Sequence, residues 1–346
     1  MKVIKVVVIS DGKNFNINNF QMTFVQMKDL PYYKEFFKSE DLDSLYQQRD
    51  KKYFTFLENF QKNFHEFDIL ICDQLNPFHP EWLYNNLKHI IKIYGMIDDP
   101  VCTYHRTLSQ IWAFDGVFYV SPGYNEKFTM NELIKSYNSR LETFFLPHAR
   151  NNKLTQAHLD TVNKSFNKRN EDVLYVGAYY ESKIERLIFL KNKLGDKFNV
   201  YGNWPYKGFR GILRGLELKT PFFQRVKYIT EREKFDLFLK HKICFNMNWN
   251  EGRETGNMRM YQAPFYGMML LCDQSAKNQH EVIFNKDEAI FYDCIEDAVE
   301  KIDYYLKNDS ERIRIAKNGF KRAVNDYNHE KIWIDILNWS LNIYKS

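Results

Sequence analysis

Residues 254–273 read Glu-Thr-Gly-Asn-Met-Arg-Met-Tyr-Gln-Ala-Pro-Phe-Tyr-Gly-Met-Met-Leu-Leu-Cys-Asp. The segment passes from a polar loop into a short helix, a glycine turn and a buried strand. Glu254, Asn257, Arg259 and Gln262 gather at the helix start, where spacings of three or four residues put several of them on one face. A helix N-terminus with an arginine beside it suits an anion, typically a phosphate. Gly267 ends the helix, and Met268–Leu271 run apolar into the fold. An ordinary helix-turn-strand connection has the same outline, so only the polar set supports a functional reading.

Working outward, short apolar runs alternate with longer mixed stretches. In the first half, strands are expected at Val3–Ile9, Asp68–Cys72, Ile90–Ile97, Gly116–Val120 and Thr143–Leu146, with helices such as Asp50–Phe64 and Trp82–Lys92 between them. A Lys/Asn-rich polar stretch from Arg150 to Asn170 then breaks the pattern and is expected to hold the domain boundary. The rhythm restarts at Val173–Val176 and continues through Phe198–Tyr201, Ile243–Met247, Met269–Cys272 and Ala289–Tyr292. Strands separated by helices imply parallel, doubly wound sheets. Two such sheets imply an α/β chain of two Rossmann-like domains with a ligand cleft between them. Helices are expected from Ile295 to about Leu306, after a cap at Asp309 or Ser310, and beyond Tyr327, where Ile332, Trp333, Ile336, Leu337 and Leu341 form an apolar stripe.

Composition agrees with an enzyme of this size. A chain of 346 residues with 44% hydrophobic and 17% aromatic content fills two cores and excludes disorder. The net charge of +5 is mildly basic and does not by itself imply nucleic acid. Met1-Lys2 leads directly into Val3–Ile9, too short for a secretory core, and no apolar run approaches a membrane span of about 20 residues. The five cysteines are scattered without ligand spacing, which points to a reduced cytoplasmic setting with neither zinc nor disulfides.

Three further segments bear on chemistry. Leu174–Arg186 runs from a strand through Gly177 into a helix, so that free amides, Lys183 and Arg186 face phosphate oxygens; a plain strand-to-helix turn is the bland alternative. Tyr94-Gly95-Met96-Ile97-Asp98-Asp99-Pro100 places paired acids at the carboxyl end of a strand. One of them, Asp98 before Asp99, suits a general base, although turn chemistry alone also accounts for the pair. His105 follows on the same side. From Asn203 to Lys234 basic and aromatic residues interleave, a mixture suited to a phosphorylated lipid, a nucleic acid or a donor phosphate, or simply to a solvated insertion.

The 254–273 segment resembles the donor-site helix of glycosyltransferases of the GT-B fold, where an acid, seven intervening residues and a second acid precede a glycine. Glu254 matches the first acid, and Gln262 replaces the second, which keeps hydrogen bonding and removes a charge. Residues 283–325 resemble the tail of CgeB-type members of that group, and the Gly177 loop and the Tyr-rich Asp98 strand are similar to those of phage DNA glucosyltransferases. The resemblance implies an acceptor-side domain over 1–155, a nucleotide-sugar domain over 170–325, and a last helix over 326–346 returning to the first domain. It implies a nucleotide-sugar co-substrate, a UDP-sugar first, with the leaving diphosphate stabilised by basic side chains and helix amides rather than by an obligatory metal. Gly177 and Arg259 are expected near the diphosphate, Glu254 or Gln262 near hydroxyls, and Asp11 and Gly12 on the acceptor side. The leading acceptor is a bacterial surface glycan or glycoprotein. Modified DNA and a non-catalytic nucleotide-sugar-binding module are the alternatives, and a peripheral membrane contact is a further expected partner. With Asp98 as base the reaction inverts; without it a retaining route stays open.

Overall fold

The computed structural model describes residues 2–32, 39–73, 75–97, 103–121, 123–125, 128–147, 149, 153–177, 181–202, 229–247, 257–273 and 283–345. The chain divides into two compact units, residues 1–146 with 332–346, and residues 147–331.

In the first unit the strands are β1 (Ile4–Ile9), β2 (Phe15–Ile17), β3 (Phe20–Val25), β4 (Ile69–Asp73), β5 (Ile91–Met96), β6 (Gly116–Tyr119), the small hairpin β7 (Gly123–Asn125) and β8 (Phe128–Thr129), and β9 (Glu142–Phe145). The helices are α1 (Ser39–Gln47), α2 (Lys51–Asn63), α3 (Pro80–Asn86) and α4 (Met130–Tyr137). The sheet order is β2-β3-β1-β4-β5-β6-β9, parallel except for the edge strand β2. β4 and β5 are buried along their whole length, as strands covered on both faces must be. α2 starts where Asp50 accepts a hydrogen bond from the Tyr53 amide, and buries Tyr53, Leu57 and Phe60 at helical spacing.

Two local expectations change. The β2–β3 hairpin lies where no strand was expected, turning at Asn18, whose φ is 49°. Its signal was the alternation of Phe15-Asn16-Ile17 and Phe20-Gln21-Met22, short but at the period of a half-buried strand. The helix expected over Trp82–Lys92 ends at Asn86. Lys92 belongs to β5, where its buried ammonium donates to the Leu87 and Ile90 carbonyls and pairs with Asp115 at 2.9 Å. Lys92 thus follows the expected strand Ile90–Ile97 rather than the overlapping helix, and its charge is partnered there.

The second unit has a parallel sheet of β10 (Glu171–Val176), β11 (Phe198–Tyr201), β12 (His241–Asn246), β13 (Met269–Asp273) and β14 (Ile290–Tyr292), in the order β11-β10-β12-β13-β14. Its helices are α5 (Gln156–Ser165), α6 (Glu181–Leu194), α7 (Glu231–Lys240), α8 (Met258–Phe265), α9 (Ile295–Lys307) and α10 (Asp309–Asp326). α7 opens with a reciprocal cap between Thr230 and Glu233. The stretch expected as a polar break contains α5, capped by Thr155, whose Val162 enters the core together with Phe166. Asn163 and Lys164 lie on the exposed face of this helix, opposite Val162. The last helix, α11 (His329–Lys345), contributes to the first unit from Ile332 onward. There Trp333 meets Phe15 and Phe24 edge-on, and Trp339 stacks on Phe144 at 5.3 Å.

Two histidines give the second unit a pH dependence. Burial holds His158 and His241 below the ordinary histidine range, while bonds to the Phe265 and Leu237 carbonyls, each 2.8 Å, pull the other way. An imidazole kept neutral by folding lets the unfolded chain take up protons first as the pH falls. Stability is therefore fully present above the unfolded histidine value, about 6.5, and declines as the pH drops below it towards the lowered folded values. The unfolding midpoint should fall between about pH 7 and pH 5.5, with a shallower decline in His241→Gln. A midpoint that is flat over this range would contradict the assignment.

Candidate active site

In the second unit the chain leaves β10 for β11 on one side and returns to β12 on the other, so the sheet reverses direction between β10 and β12. Ligands of such sheets bind outside the carboxyl ends of the strands at that reversal. Those ends are Val176-Gly177 and Asn246-Met247, and three side chains converge on them. Arg259, in the first turn of α8, donates through Nε to the Val176 carbonyl and through Nη1 to Asn246 Oδ1 at 2.6 Å. Its guanidinium lies 4.4 Å from the Tyr175 ring centre. Lys183 of α6, buried, donates to the Met247 carbonyl at 3.2 Å. Asn257 caps α8 by accepting from the Met260 amide and also donates to the Met247 carbonyl at 3.0 Å. Gly177 is required by this packing, since a Cβ there would lie 2.4 Å from Arg259 Nη2 and 2.8 Å from the Tyr175 hydroxyl.

A buried polar layer supports these groups. Asn246, wholly buried, donates to Cys272 Sγ at 3.2 Å, and the Tyr292 hydroxyl donates to the Asn246 carbonyl at 2.9 Å. Burial, then the charge of Asp273 at the end of β13, raises the Tyr292 phenol well above its usual value, with Arg186 acting in the opposite direction. Burial likewise pushes the Cys272 thiol up, so it serves as a neutral neighbour rather than a nucleophile. α8 ends where Gly267, at φ 71°, donates to the Pro264 carbonyl, and Met268 donates to Ala263. That turn feeds the chain directly into β13.

The structure therefore brings Gly177, Lys183, Asn257 and Arg259 to one edge, with Arg186 one turn beyond Lys183 on α6. Gln262 is 5% exposed within α8. Glu254, Asp98 and Asp99 lie outside the described residues, as do residues 203–228 of the basic aromatic segment and the His105 side chain. On the first unit, Asp11 is exposed and its Oδ1 accepts from the Met27 amide at 3.1 Å. Gly12 accepts a bond from Gln26 on its carbonyl, and a Cβ on it would lie 2.4 Å from the Phe24 ring. Both residues shape the turn after β1.

Residues 184–338 match the family described as glycosyl transferase-like. Sucrose-phosphate synthase from Thermosynechococcus elongatus has the same fold, with a TM-score of 0.61 at 12% identity over 99% of this chain and 89% of that one. The chain has the fold of the GT-B glycosyltransferases. An alpha-glucosyltransferase in complex with UDP-glucose and DNA containing an abasic site matches at TM-score 0.60 and 12% identity, over 93% of this chain and 92% of that one. Anabaena HepE in complex with UDP-glucose matches at 0.59 and 10%, over 97% and 98%. No curated protein matches this chain in sequence. Among its described residues no helix is long and apolar enough to cross a membrane, and no group of three or more His, Cys, Asp or Glu side chains is placed to hold a metal ion.

Asn246, Tyr175 and Tyr292 were not singled out by sequence reasoning. The available signal was Asn246, a polar residue ending the apolar run Ile243-Cys244-Phe245, where a carboxyl-end position makes a side-chain amide useful. Tyr175 and Tyr292 read as ordinary core aromatics, and only their contacts single them out.

Proposed function

We propose that the chain is a glycosyltransferase that transfers a hexose from a nucleotide-sugar donor, a UDP-sugar first, held by the second unit. The observation that carries the reading is the convergence of Arg259, Lys183 and the Gly177 loop on the strand ends where the sheet reverses. Cationic side chains and the amides at the start of α8 offset the negative charge that develops on the departing diphosphate. Arg186 extends the cationic edge, Asn257 fixes the start of α8, and Glu254 or Gln262 contacts donor hydroxyls. Two structures of the same fold contain UDP-glucose, which supports this choice of donor. The proposed acceptor is a bacterial surface glycan or glycoprotein, and the proposed setting is cytoplasmic, with a peripheral membrane contact through 203–234. Modified DNA is the second reading, favoured by the DNA present in one structure of this fold. A duplex-DNA mobility shift that weakens steeply with salt would select it. The proposed general base is Asp98, ahead of Asp99, as read from the sequence.

The test is Arg259→Ala titrated calorimetrically with a UDP-sugar. A charge-assisted phosphate contact contributes about 1.5–3 kcal/mol, so affinity should fall about 10- to 150-fold. Stability should fall as well, by about 1–3 kcal/mol, because the Val176 carbonyl and the buried Asn246 Oδ1 lose their donor. Unchanged affinity in a folded variant would remove Arg259 from the site.

A further inference from the structure

Arg259 is held by a chain of polar side chains that runs back into the core of the second unit. Among the N–H groups of its guanidinium, Nε donates to the Val176 carbonyl and Nη1 to Asn246 Oδ1. Nothing among the described residues accepts from Nη2. That nitrogen lies against Gly177, 2.4 Å from where a Cβ would stand. Two partners thus fix the plane of the fork, and the end left over is the one beside the strand exit.

Asn246 sets this orientation. It ends β12, is wholly buried, and is the register partner of Cys272 in β13. Its carbonyl accepts from Tyr292, which pins the backbone, while its side chain bonds at both ends. A guanidinium only donates, so the amide oxygen must be the end that meets Nη1, at 2.6 Å. The amide nitrogen then needs an acceptor away from solvent, and Cys272 Sγ supplies it at 3.2 Å. The thiol proton is turned the other way, to Asp273 Oδ1 at 3.4 Å, which leaves the sulfur lone pairs towards Asn246. Burial, and then the Asp273 charge, keep that thiol protonated. Every bond in the run Asp273–Cys272–Asn246–Arg259 therefore takes its direction from the carboxylate at one end, and each member strengthens the next. A valine would fill the Cys272 position by volume, so packing alone does not call for a sulfur between an amide and a carboxylate.

We propose that Cys272 is a positioning residue of the donor site, orienting the Asn246 amide so that Arg259 presents Nη2 to the diphosphate. The proposal rests on the donor reading above and involves the second unit alone. Without an acceptor for its nitrogen, the buried amide gains by turning from Arg259. Nη1 then loses its partner, and the fork is no longer held in one plane. The thiol itself touches no substrate.

The experiment titrates the full chain calorimetrically with UDP, ADP, GDP and dTDP, and carries the tightest of them through the variants. Cys272→Val removes the acceptor at nearly constant volume, and affinity should fall about 5- to 50-fold. Cys272→Ser offers the same donor and acceptor, and should recover most of that loss. In an Arg259→Ala background, Cys272→Val should change affinity by less than about twofold, because the residue it acts through is gone. Unfolding midpoints establish that each variant is folded. Cys272→Ala, which also removes the acceptor, carries the test if the valine variant does not fold. A fall below about fivefold in folded Cys272→Val overturns the role. A serine variant as weak as the valine one, or an equal loss with and without Arg259, overturns it too, and each of these results leaves the donor reading standing. A wild-type chain that binds none of the four nucleotides overturns the donor reading, and the positioning role with it.

Discussion

Gly202→Ala is expected to destabilise the second unit by about 3–5 kcal/mol and to weaken donor binding at the same time. Gly202 follows β11 with φ 149°, and a Cβ on it would stand 1.8 Å from the Gly177 carbonyl oxygen and 2.7 Å from its carbon. The obstacle is backbone, which cannot swing aside as a side-chain tip can. The Gly177 amide is also tied to the Tyr201 carbonyl at 3.0 Å, so any displacement moves the ends of β10 and β11 together. Those ends carry the loop on which Arg259 is seated. Urea unfolding followed by fluorescence, with calorimetric titration of a UDP-sugar below the transition, would measure both losses. A variant with wild-type midpoint and affinity would show that the two glycines do not meet in solution.

Arg169→Met should cost a similar amount, about 3–5 kcal/mol, for an electrostatic reason. The Arg169 guanidinium donates to the carbonyls of Phe238, His241 and Tyr266 and to Ser165 Oγ at 2.9 Å. It thereby closes the ends of α5, α7 and α8 with one side chain. Burial, with Arg312 adding repulsion, lowers it to about 9, so it remains charged at neutral pH. Methionine fills much of the volume and supplies no donor, leaving three carbonyls that were chosen for a cation. A loss below about 1 kcal/mol would mean that water replaces these bonds without penalty. Because Arg169 does not touch Gly177, Lys183 or Asn257, donor affinity of the folded fraction should stay close to wild type. That separates its role from that of Arg259.

The alternation of apolar runs with helical stretches made the two-sheet α/β fold legible before any coordinates. A parallel strand buried on both faces must be continuously apolar, and Ile69–Cys72, Ile243–Phe245 and Met269–Leu271 can be little else. The α8–β13 connection was equally legible, because Asn257 at the cap and Gly267 at the exit are local requirements of backbone geometry. Elements with mixed signals were harder. The β2–β3 hairpin is too short to establish a period, and α5 turns inward only Leu159 and Val162, with Phe166 just past its end, too few apolar positions to stand out in a polar stretch.

For the candidate site, the sequence by itself determined which residues were chemically able to meet an anion: Gly177, Lys183, Asn257 and Arg259 all stand at helix starts or strand exits. It did not determine how their donors are spent. Arg259 shares its guanidinium among a carbonyl, an amide and an aromatic face, and this depends on Val176, Asn246 and Tyr175 arriving from strands far apart in the chain. Ser10 and Asp73 are 63 residues apart, and neither carries a motif. Only the sheet order, which sets β1 beside β4 at the reversal, makes them neighbours. Local pattern fixes element type because the period of burial is written into consecutive residues; strand order is a choice among long-range pairings that the same pattern satisfies equally well, and it is this choice that makes Ser10 and Asp73 neighbours.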